Sequence, residues 1–498
     1  MRMKPSLLAL PFLLLPAALH AQKPAHTPAP AAPVNILMLS DIHFDPFHDP
    51  AKVAQLIGSS AGQWQAVLAA PDSPTQAQDF ARLQKTCKAK GVDTPYTLLA
   101  SSLAAERAQQ AAPLFVTVSG DLMAHQFDCR FATLAPHASP ADYSSFAAKT
   151  VAFVALQLRT AFPGAPIYVA LGNNDSGCKD YREDPHSAYL QADARSLADA
   201  AAAPAILQQF PALGDYKVAL PKPFHNTDLL VMQDIFESKK YTTCAGKDEA
   251  AAGAAQAAWL RRQLAAARAA HHRVWVMAHI PPGVDAYSTF TKAARDAAPN
   301  GCPYQKPDLF LNSELFADAL RDNTDMISLV LLGHTHMDEM RLYTSRRGAS
   351  STSSRAAPGK LVPSISPVDG NTPSFTLATV DPARATLLDY TVFAASNQTG
   401  IGATWSPEYT YSTTYGQPDF SAAALTALTN EFLADPTSAA AHSRSYESFY
   451  FVGGSTAGPN LKAAALGAVW PIYTCAITQD HVQGFATCAC PDKAKPRP

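Results

Sequence analysis

Gly333-His334-Thr335-His336 places two imidazoles on one turn, and such a turn can aim both rings at a single point. A lone His-x-His is a weak signal. Four other stretches share its form, an apolar run closed by a turn that carries metal-type donors. Asp41 and His43 close the first, Asp121 follows Gly120, Asn173 follows Gly172, and His279 opens a fifth turn, His279-Ile280-Pro281-Pro282-Gly283. Together these turns offer Asp41, His43, Asp121, Asn173, His279, His334 and His336. One tetrahedral ion takes only about four donors, so two ions that share a carboxylate fit the set. Mixed imidazole and carboxylate ligation suits zinc, iron or manganese over calcium or magnesium. Two such ions about 3.5–4 Å apart can clamp a phosphate and furnish a hydroxide near neutral pH. Such chemistry needs no serine or cysteine nucleophile, and the sequence holds no Gly-x-Ser-x-Gly elbow.

The elements that must position these donors are buried strands. Asn35–Ser40, Leu114–Ser119, Pro166–Leu171, Arg273–Ala278 and Met326–Leu332 are apolar runs of strand length. Function gathers at the carboxyl ends of strands in open α/β sheets. Helical spacing is predicted over 51–112 (with a helix from Thr97 to Gln110), 141–161, 188–209, 248–270 and 312–321, and a further strand over Asp228–Asp234. Strand and helix thus alternate as in βαβ units. After His336 the pattern changes. Residues 345–359 read as a mobile loop, and strands near 375–380 and 385–392 are expected to complete a second sheet. Residues 396–498 read as an aromatic, then helical, appendage without chemistry of its own.

With 498 residues, 47% hydrophobic, the chain can bury a large core. A net charge of -2 with 16% charged residues leaves no basic stripe, which argues against a wrapped nucleic-acid partner. Arg2 and Lys4 ahead of the apolar run Leu7–Leu19, with small residues up to Ala21, predict a signal peptide over 1–21. An Ala/Pro-rich linker over 22–33 follows. No later stretch is long and apolar enough to span a membrane. The protein is therefore expected to be secreted or periplasmic, and its eight cysteines to form disulfides. Oligomeric state is silent, and transient contact with a membrane surface through the C-terminal helices is open.

The set Asp41-x-His43, Gly120-Asp121, Gly172-Asn173, His279 and Gly333-His334-x-His336, in that order, resembles the calcineurin-like metallophosphoesterase superfamily. His125, four residues after Asp121, directs the resemblance to the acid sphingomyelinase-like phosphodiesterases. So do the stretches around His279, Ser364–Pro367, Asn371–Phe375 and Trp405–Tyr415. The resemblance implies a four-layer αββα sandwich of two mixed sheets. A catalytic domain over 34–395 would be followed by a C-terminal helical subdomain over 396–498. It implies two divalent ions, zinc first. One would be held by Asp41, His43, Asp121 and His336, the other by Asp121, Asn173, His279 and His334. His125 would face the phosphate, to stabilise its charge or protonate the leaving oxygen. Family likeness would join Cys244 to Cys302 and Cys475 to Cys488, leaving three pairings for Cys87, Cys129, Cys178 and Cys490.

One position departs from the family pattern. The family has His after the ligand Asn, whereas this chain has Asn174. An amide donates a hydrogen bond but delivers no proton, which favours an acidic leaving group, as in a phosphoanhydride or aryl ester. Substrates open at this stage are a phospholipid headgroup such as that of sphingomyelin, or a nucleotide. Rivals are an endopolyphosphatase-like or nucleotide phosphoanhydride hydrolase, and, in another class, a protein that binds metal and phosphate without turnover. Asp175 reads as a helix start, with orientation of Asn174 as the alternative. Asp45 and His48 are cleft or loop residues, and His225, His271 and His272 are surface residues. Asp338 and Glu339 are expected to support His336, since metal-bound imidazoles need a partner on the other nitrogen.

Overall fold

A computed structural model describes residues 32–295, 302–346, 356–453, 466–467 and 469–490. The expected signal peptide and nearly all of the Ala/Pro linker lie outside the described residues. The strands are β1 (Val34–Leu39), β2 (Val116–Ser119), β3 (Ile167–Ala170), β4 (Tyr216–Ala219), β5 (Thr227–Val231), β6 (Arg273–Met277), β7 (Ile327–Leu332), β8 (Glu339–Thr344), β9 (Ala356–Leu361), β10 (Ser374–Asp381), β11 (Thr386–Ala395) and β12 (Trp405–Thr410). They form two six-stranded sheets, ordered β12-β11-β10-β1-β2-β3 and β4-β5-β6-β7-β9-β8. In each sheet the site-bearing strands are parallel: β1 with β2 and β2 with β3 in the first, β6 with β7 in the second. Antiparallel strands extend both sheets at their margins.

The strands are apolar throughout because both faces of each sheet are covered. In β6, Trp275 and Met277 enter the core between the sheets, while Val274 and Val276 face a second core under the outer helices. β7 repeats the alternation, with Leu329 and Leu331 inward and Val330 and Leu332 outward. The helix Ala251–Ala269 supplies Leu260 and Leu264 to that outer core, and Leu315–Asp322 supplies Phe316 and Leu320. On the other side, Pro140–Ala161 buries Phe146, Val151, Phe153, Val154 and Leu158 against the first sheet. The layers are thus helix, sheet, sheet, helix. Polar contacts also tie the sheets: Ser119 Oγ donates to Leu332 O (3.0 Å), Tyr216 OH to Val169 O (3.0 Å) and Trp275 Nε1 to Ala385 O (2.8 Å).

Several expectations are corrected. The strands near 375–392 do not belong to the second sheet: β10 pairs antiparallel with β1, Leu377 opposite Leu37, and β11 follows. The chain reaches that edge because Ile365 and Ser366 donate their backbone N–H groups to Ser40 and Asp41 O, which carries it back across the top of the first sheet. The loop expected over 345–359 ends in β9, where Pro358 and Gly359 are held by pairing with β8; residues 347–355 lie outside the described set. The helix expected over 188–209 breaks at Pro204 into Ala188–Ala200 and Ile206–Leu213. Trp405–Thr410 is a strand on the first sheet before the C-terminal helices begin.

The described disulfides are Cys87–Cys129, Cys178–Cys244, Cys302–Cys490 and Cys475–Cys488. Cys475–Cys488 agrees with the family pairing, while Cys244–Cys302 does not form. Thr242 donates its backbone N–H to Tyr181 O and accepts one from Glu183, and this sets Cys244 beside Cys178. Cys302 instead meets the C-terminal helix Val482–Ala489 at its end.

Candidate metal centre

The carboxyl ends of β1, β2 and β3 meet those of β6 and β7 at one rim of the sandwich. The turns there are tight. Asp41, His43, Asp121, His334 and His336 all adopt left-handed backbone conformations, with φ between 44° and 76°. Non-glycine residues hold such angles at a cost of order 1–3 kcal/mol where the surrounding structure demands it, and they cluster at functional sites. A Cβ on Gly172 would fall onto Asp121 Oδ1, so only glycine lets the third turn approach the second.

These turns bring the donors together. His43 Nε2 lies 3.4 Å from Asp121 Oδ2 and 3.8 Å from Asp41 Oδ1. His279 Nε2 is 3.2 Å from Asp121 Oδ2, and His336 Nε2 is 3.4 Å from Asp41 Oδ1. His43 and His336 face each other Nε2 to Nε2 at 3.0 Å. The His334 ring stands edge-on to His279 with centroids 5.2 Å apart. Asp41, His43, His279 and His336 are almost fully buried. The side chain of Asp121 therefore lies between the two groups.

The outer nitrogens fix the inner ones. His43 Nδ1 sits 2.8 Å from Met123 O, and His279 Nδ1 2.8 Å from Ser119 O. A carbonyl only accepts, so each Nδ1 carries the hydrogen and each Nε2 presents a lone pair to the centre of the cluster. Asn173 is oriented in the same sense. Its Nδ2 donates to Asp180 Oδ1 (2.8 Å), and its Oδ1 is buried without a hydrogen-bond partner, as is His279 Nε2. Inward lone pairs on imidazole, carboxylate and amide oxygen, with buried acceptors left unmatched, fit divalent cations. Protons compete with a cation for these lone pairs, drawn by the same carboxylates. Burial pushes His43 and His279 down, but Asp121 and Asp41 carry both up to about 10. Burial holds His334 at about 3 and His336 at about 4. Without ions, protons supply the positive charge that the two carboxylates require.

His125 is only partly buried, its side chain a quarter exposed. Its ring stacks on His43 with centroids 4.0 Å apart, and its Nδ1 lies 2.9 Å from Asp93 Oδ1. Asn174 is turned onto Asp121: its backbone N–H donates to Oδ1 (2.9 Å) and its Nδ2 to Oδ2 (2.8 Å).

Four supporting carboxylates escaped sequence reasoning or were read differently. Asp175 starts no helix. Fully buried, it accepts N–H bonds from Leu122, Met123 and Gly172 and so locks the second turn to the third. Asp93 accepts the His125 backbone N–H and a Ser366 hydroxyl, with Arg130 beside it at 3.6 Å. Asp180 holds Asn173, and Asp234 accepts the Ile280 N–H just after His279. Asp338 and Glu339 do not support His336: Asp338 pairs with Lys360 and Tyr409, and Glu339 with Arg341 and Tyr450. Asp369 stands opposite His336 Nδ1 at 3.5 Å instead. Asp45 is buried against Arg130 (2.5 Å), and His225 and His271 are exposed.

A cavity of about 480 Å³ opens beside His334 and Thr335, walled by Tyr287, Phe310, Tyr450, Phe451 and Tyr473. Three of those aromatics come from the C-terminal region. The appendage, expected to pack on the core without chemistry of its own, thus forms a wall of the cleft.

The family model for calcineurin-like phosphoesterase matches residues 34–338, and the chain belongs to that family. It is a phosphoesterase by class. Among curated proteins, it is similar to the cyclic GMP-AMP phosphodiesterase SMPDL3A of Rattus norvegicus, 28% identical over 35% of this chain and 37% of that one. It is also similar to the human (Homo sapiens) acid sphingomyelinase-like phosphodiesterase 3b, 24% identical over 92% of this chain and 91% of that one. The match thus spans about a third of the rat protein and nearly all of the human one. Among solved structures, a dimetal phosphatase from Danio rerio covers 76% of this chain and 100% of its own, at 12% identity and a TM-score of 0.39. Among the described residues no helix is long and apolar enough to cross a membrane.

Proposed function

We propose that the chain is an exported, binuclear metal-dependent phosphodiesterase that hydrolyses a P–O bond. One ion is assigned to Asp41, His43, Asp121 and His336, the other to Asp121, Asn173, His279 and His334, with catalysis assisted by His125. The observation that carries this reading is the convergence of His43, His279 and His336 Nε2 on Asp41 and Asp121, two of the imidazoles fixed from behind by backbone carbonyls. The donor set favours zinc, with iron or manganese as alternatives. When bound, the ions would polarise the phosphate and supply a hydroxide near neutral pH.

The remaining work falls to the protein. Asp121 is held by both donors of Asn174 and so keeps its place between the two halves. His125, backed by Asp93 on Nδ1, has Nε2 left for the leaving oxygen. Asn174 faces Asp121 and holds no proton to give, so His125 is the general acid. The aromatic cavity takes the organic part of the substrate, a phospholipid headgroup or a nucleoside. Names of the similar proteins support both substrates. Eight cysteines, all paired, support an oxidising compartment after removal of residues 1–21. Residues 34–395 form the catalytic domain of this proposal and 396–498 its helical subdomain.

The test is metal content together with turnover of an aryl phosphodiester, before and after chelation. The reading predicts about two divalent ions per chain and activity that chelator abolishes and zinc or manganese restores. Bound metal without turnover would leave the binding-protein reading in its place. Sphingomyelin, nucleoside triphosphate and polyphosphate then separate the substrates.

A further inference from the structure

Lys240 stands on the His334 side of the cluster, beside Tyr181. Its Nζ lies 4.6 Å from the Tyr181 ring centroid and 3.4 Å from the Tyr181 hydroxyl. That hydroxyl is in turn 3.5 Å from His334 Nε2. Other lysines of this region face carboxylates: Lys239 and Lys292 share Asp308, and Lys179 pairs with Asp128. Lys240 is exposed, and among the described residues no carboxylate lies within ion-pair distance of it. The nearby Asp180 is engaged by the Asn173 amide.

The mount is built. Tyr181 donates its backbone N–H to Asn173 O, and Thr242 donates its own to Tyr181 O. Cys178–Cys244 closes the same two segments on each other. Lys240 and Tyr181 are therefore fixed to the turn that carries Asn173.

Charge explains what such a group is for. The ligand set assigned to the two ions holds two carboxylates, Asp41 and Asp121, and Asp93, Asp180, Asp234 and Asp369 stand close by, so little positive charge is left beyond what a single phosphodiester anion takes. Each further phosphoryl charge needs a cation supplied by the protein. A lysine is a point-charge phosphate binder on a flexible stem, and a neighbouring phenol adds a hydrogen-bond donor.

We propose that Lys240, seated over Tyr181, is a specificity-determining residue that grips a second phosphoryl group joined to the one that reacts. The site is thereby matched to phosphoanhydrides, whether a nucleoside polyphosphate or an inorganic polyphosphate chain. This rests on the metal-centre reading above and deepens it.

The test uses the metal-loaded full chain, with Lys240→Met and Lys240→Arg beside wild type. Binding of inorganic pyrophosphate and of orthophosphate is measured by calorimetry. Lys240→Met is expected to weaken pyrophosphate about tenfold and orthophosphate by less than threefold, with Lys240→Arg recovering most of the loss. Equal losses for the two anions, or no loss, would overturn the assignment. In a parallel arm KM is measured for ATP and for tripolyphosphate. A rise for both marks the shared diphosphate as the recognised group, and a rise for one assigns that source. Absence of bound metal or of aryl diester turnover in wild type would instead defeat the metal-centre reading, so the two failures are distinct.

Discussion

Asp93 Oδ1 lies 2.9 Å from His125 Nδ1, and the same carboxylate accepts the His125 backbone N–H through its other oxygen. Side chain and backbone of the histidine are thus fixed by one buried group. A carboxylate cannot donate, so Nδ1 carries the hydrogen and Nε2 is the atom left for the cleft. His125→Ala is expected to lower kcat on an alkyl phosphodiester by about 10²–10⁴, the usual worth of general acid assistance. It should cost far less on an aryl diester, whose leaving group needs no proton. Asp93→Asn should reproduce part of that selective loss. Steady-state kinetics on the two substrates decide it, and equal losses on both would remove His125 from the proton's path.

Asp175 gathers three N–H groups from two turns into one buried carboxylate. Asp175→Ala leaves those donors without an acceptor, at about 1–3 kcal/mol for each uncompensated group. Loosened turns also move Asp121 and Asn173, so metal affinity should fall about 10–100-fold, the range typical of outer partners of metal ligands. Thermal melts and metal titration read the two effects separately. Retained affinity in a destabilised protein would confine Asp175 to stability.

Cys178–Cys244 clamps the loop that holds Asn173 and Tyr181. Replacing both cysteines by serine should cost about 2–4 kcal/mol of stability. The assigned second ion should weaken more than the first. The measurement is metal stoichiometry against zinc concentration, where a single uniform shift would contradict the placement.

Glu106 carries a pH dependence with a clear sign. Burial raises its carboxyl from 4.5 to about 7, against which the Ser102 hydroxyl bond at 2.6 Å works only in part. Between those values the native state holds a proton that the unfolded chain has lost. The contribution is therefore complete below about pH 4.5 and disappears as pH rises to about 7. Glu106→Gln should flatten the fall, gaining up to about 3 kcal/mol at pH 8 relative to pH 4.5. Denaturant midpoints across that range test it; parallel curves for the two proteins would reject it.

The strand-end donors were legible in the sequence because each combines two local signals, a buried apolar run and a turn with a metal-type side chain. The groups that aim those donors were not. Asp93 and Asp180 stand in loops with no periodicity, Asp234 opens the short 3-10 turn Asp234–Glu237 where a strand end was expected, and their partners are set by turns that close only in the folded chain. Asp175 was visible but misjudged, since an aspartate after Asn-Asn suits a helix start as well as an anchor. Asp338 and Glu339 looked suitable by proximity to His336, but distant partners, Lys360 and Tyr409 for the one and Arg341 and Tyr450 for the other, hold them elsewhere. The placement of β10 and β11 was hidden for a similar reason: a strand's own residues do not name its neighbour. Cys244–Cys302 failed because the pairing depends on the local path of residues 238–244.

Neither sheet owns the cluster. β1, β2 and β3 provide Asp41, His43, Asp121 and Asn173, while β6 and β7 provide His279, His334 and His336. Any cation gripped there would act as a rivet through both halves of the sandwich, beside the shared core and the hydrogen bonds that already tie them, and its departure would loosen that rim. Loss of metal and loss of rigidity are then one event, so a chelated protein would unfold sooner as well as fall silent.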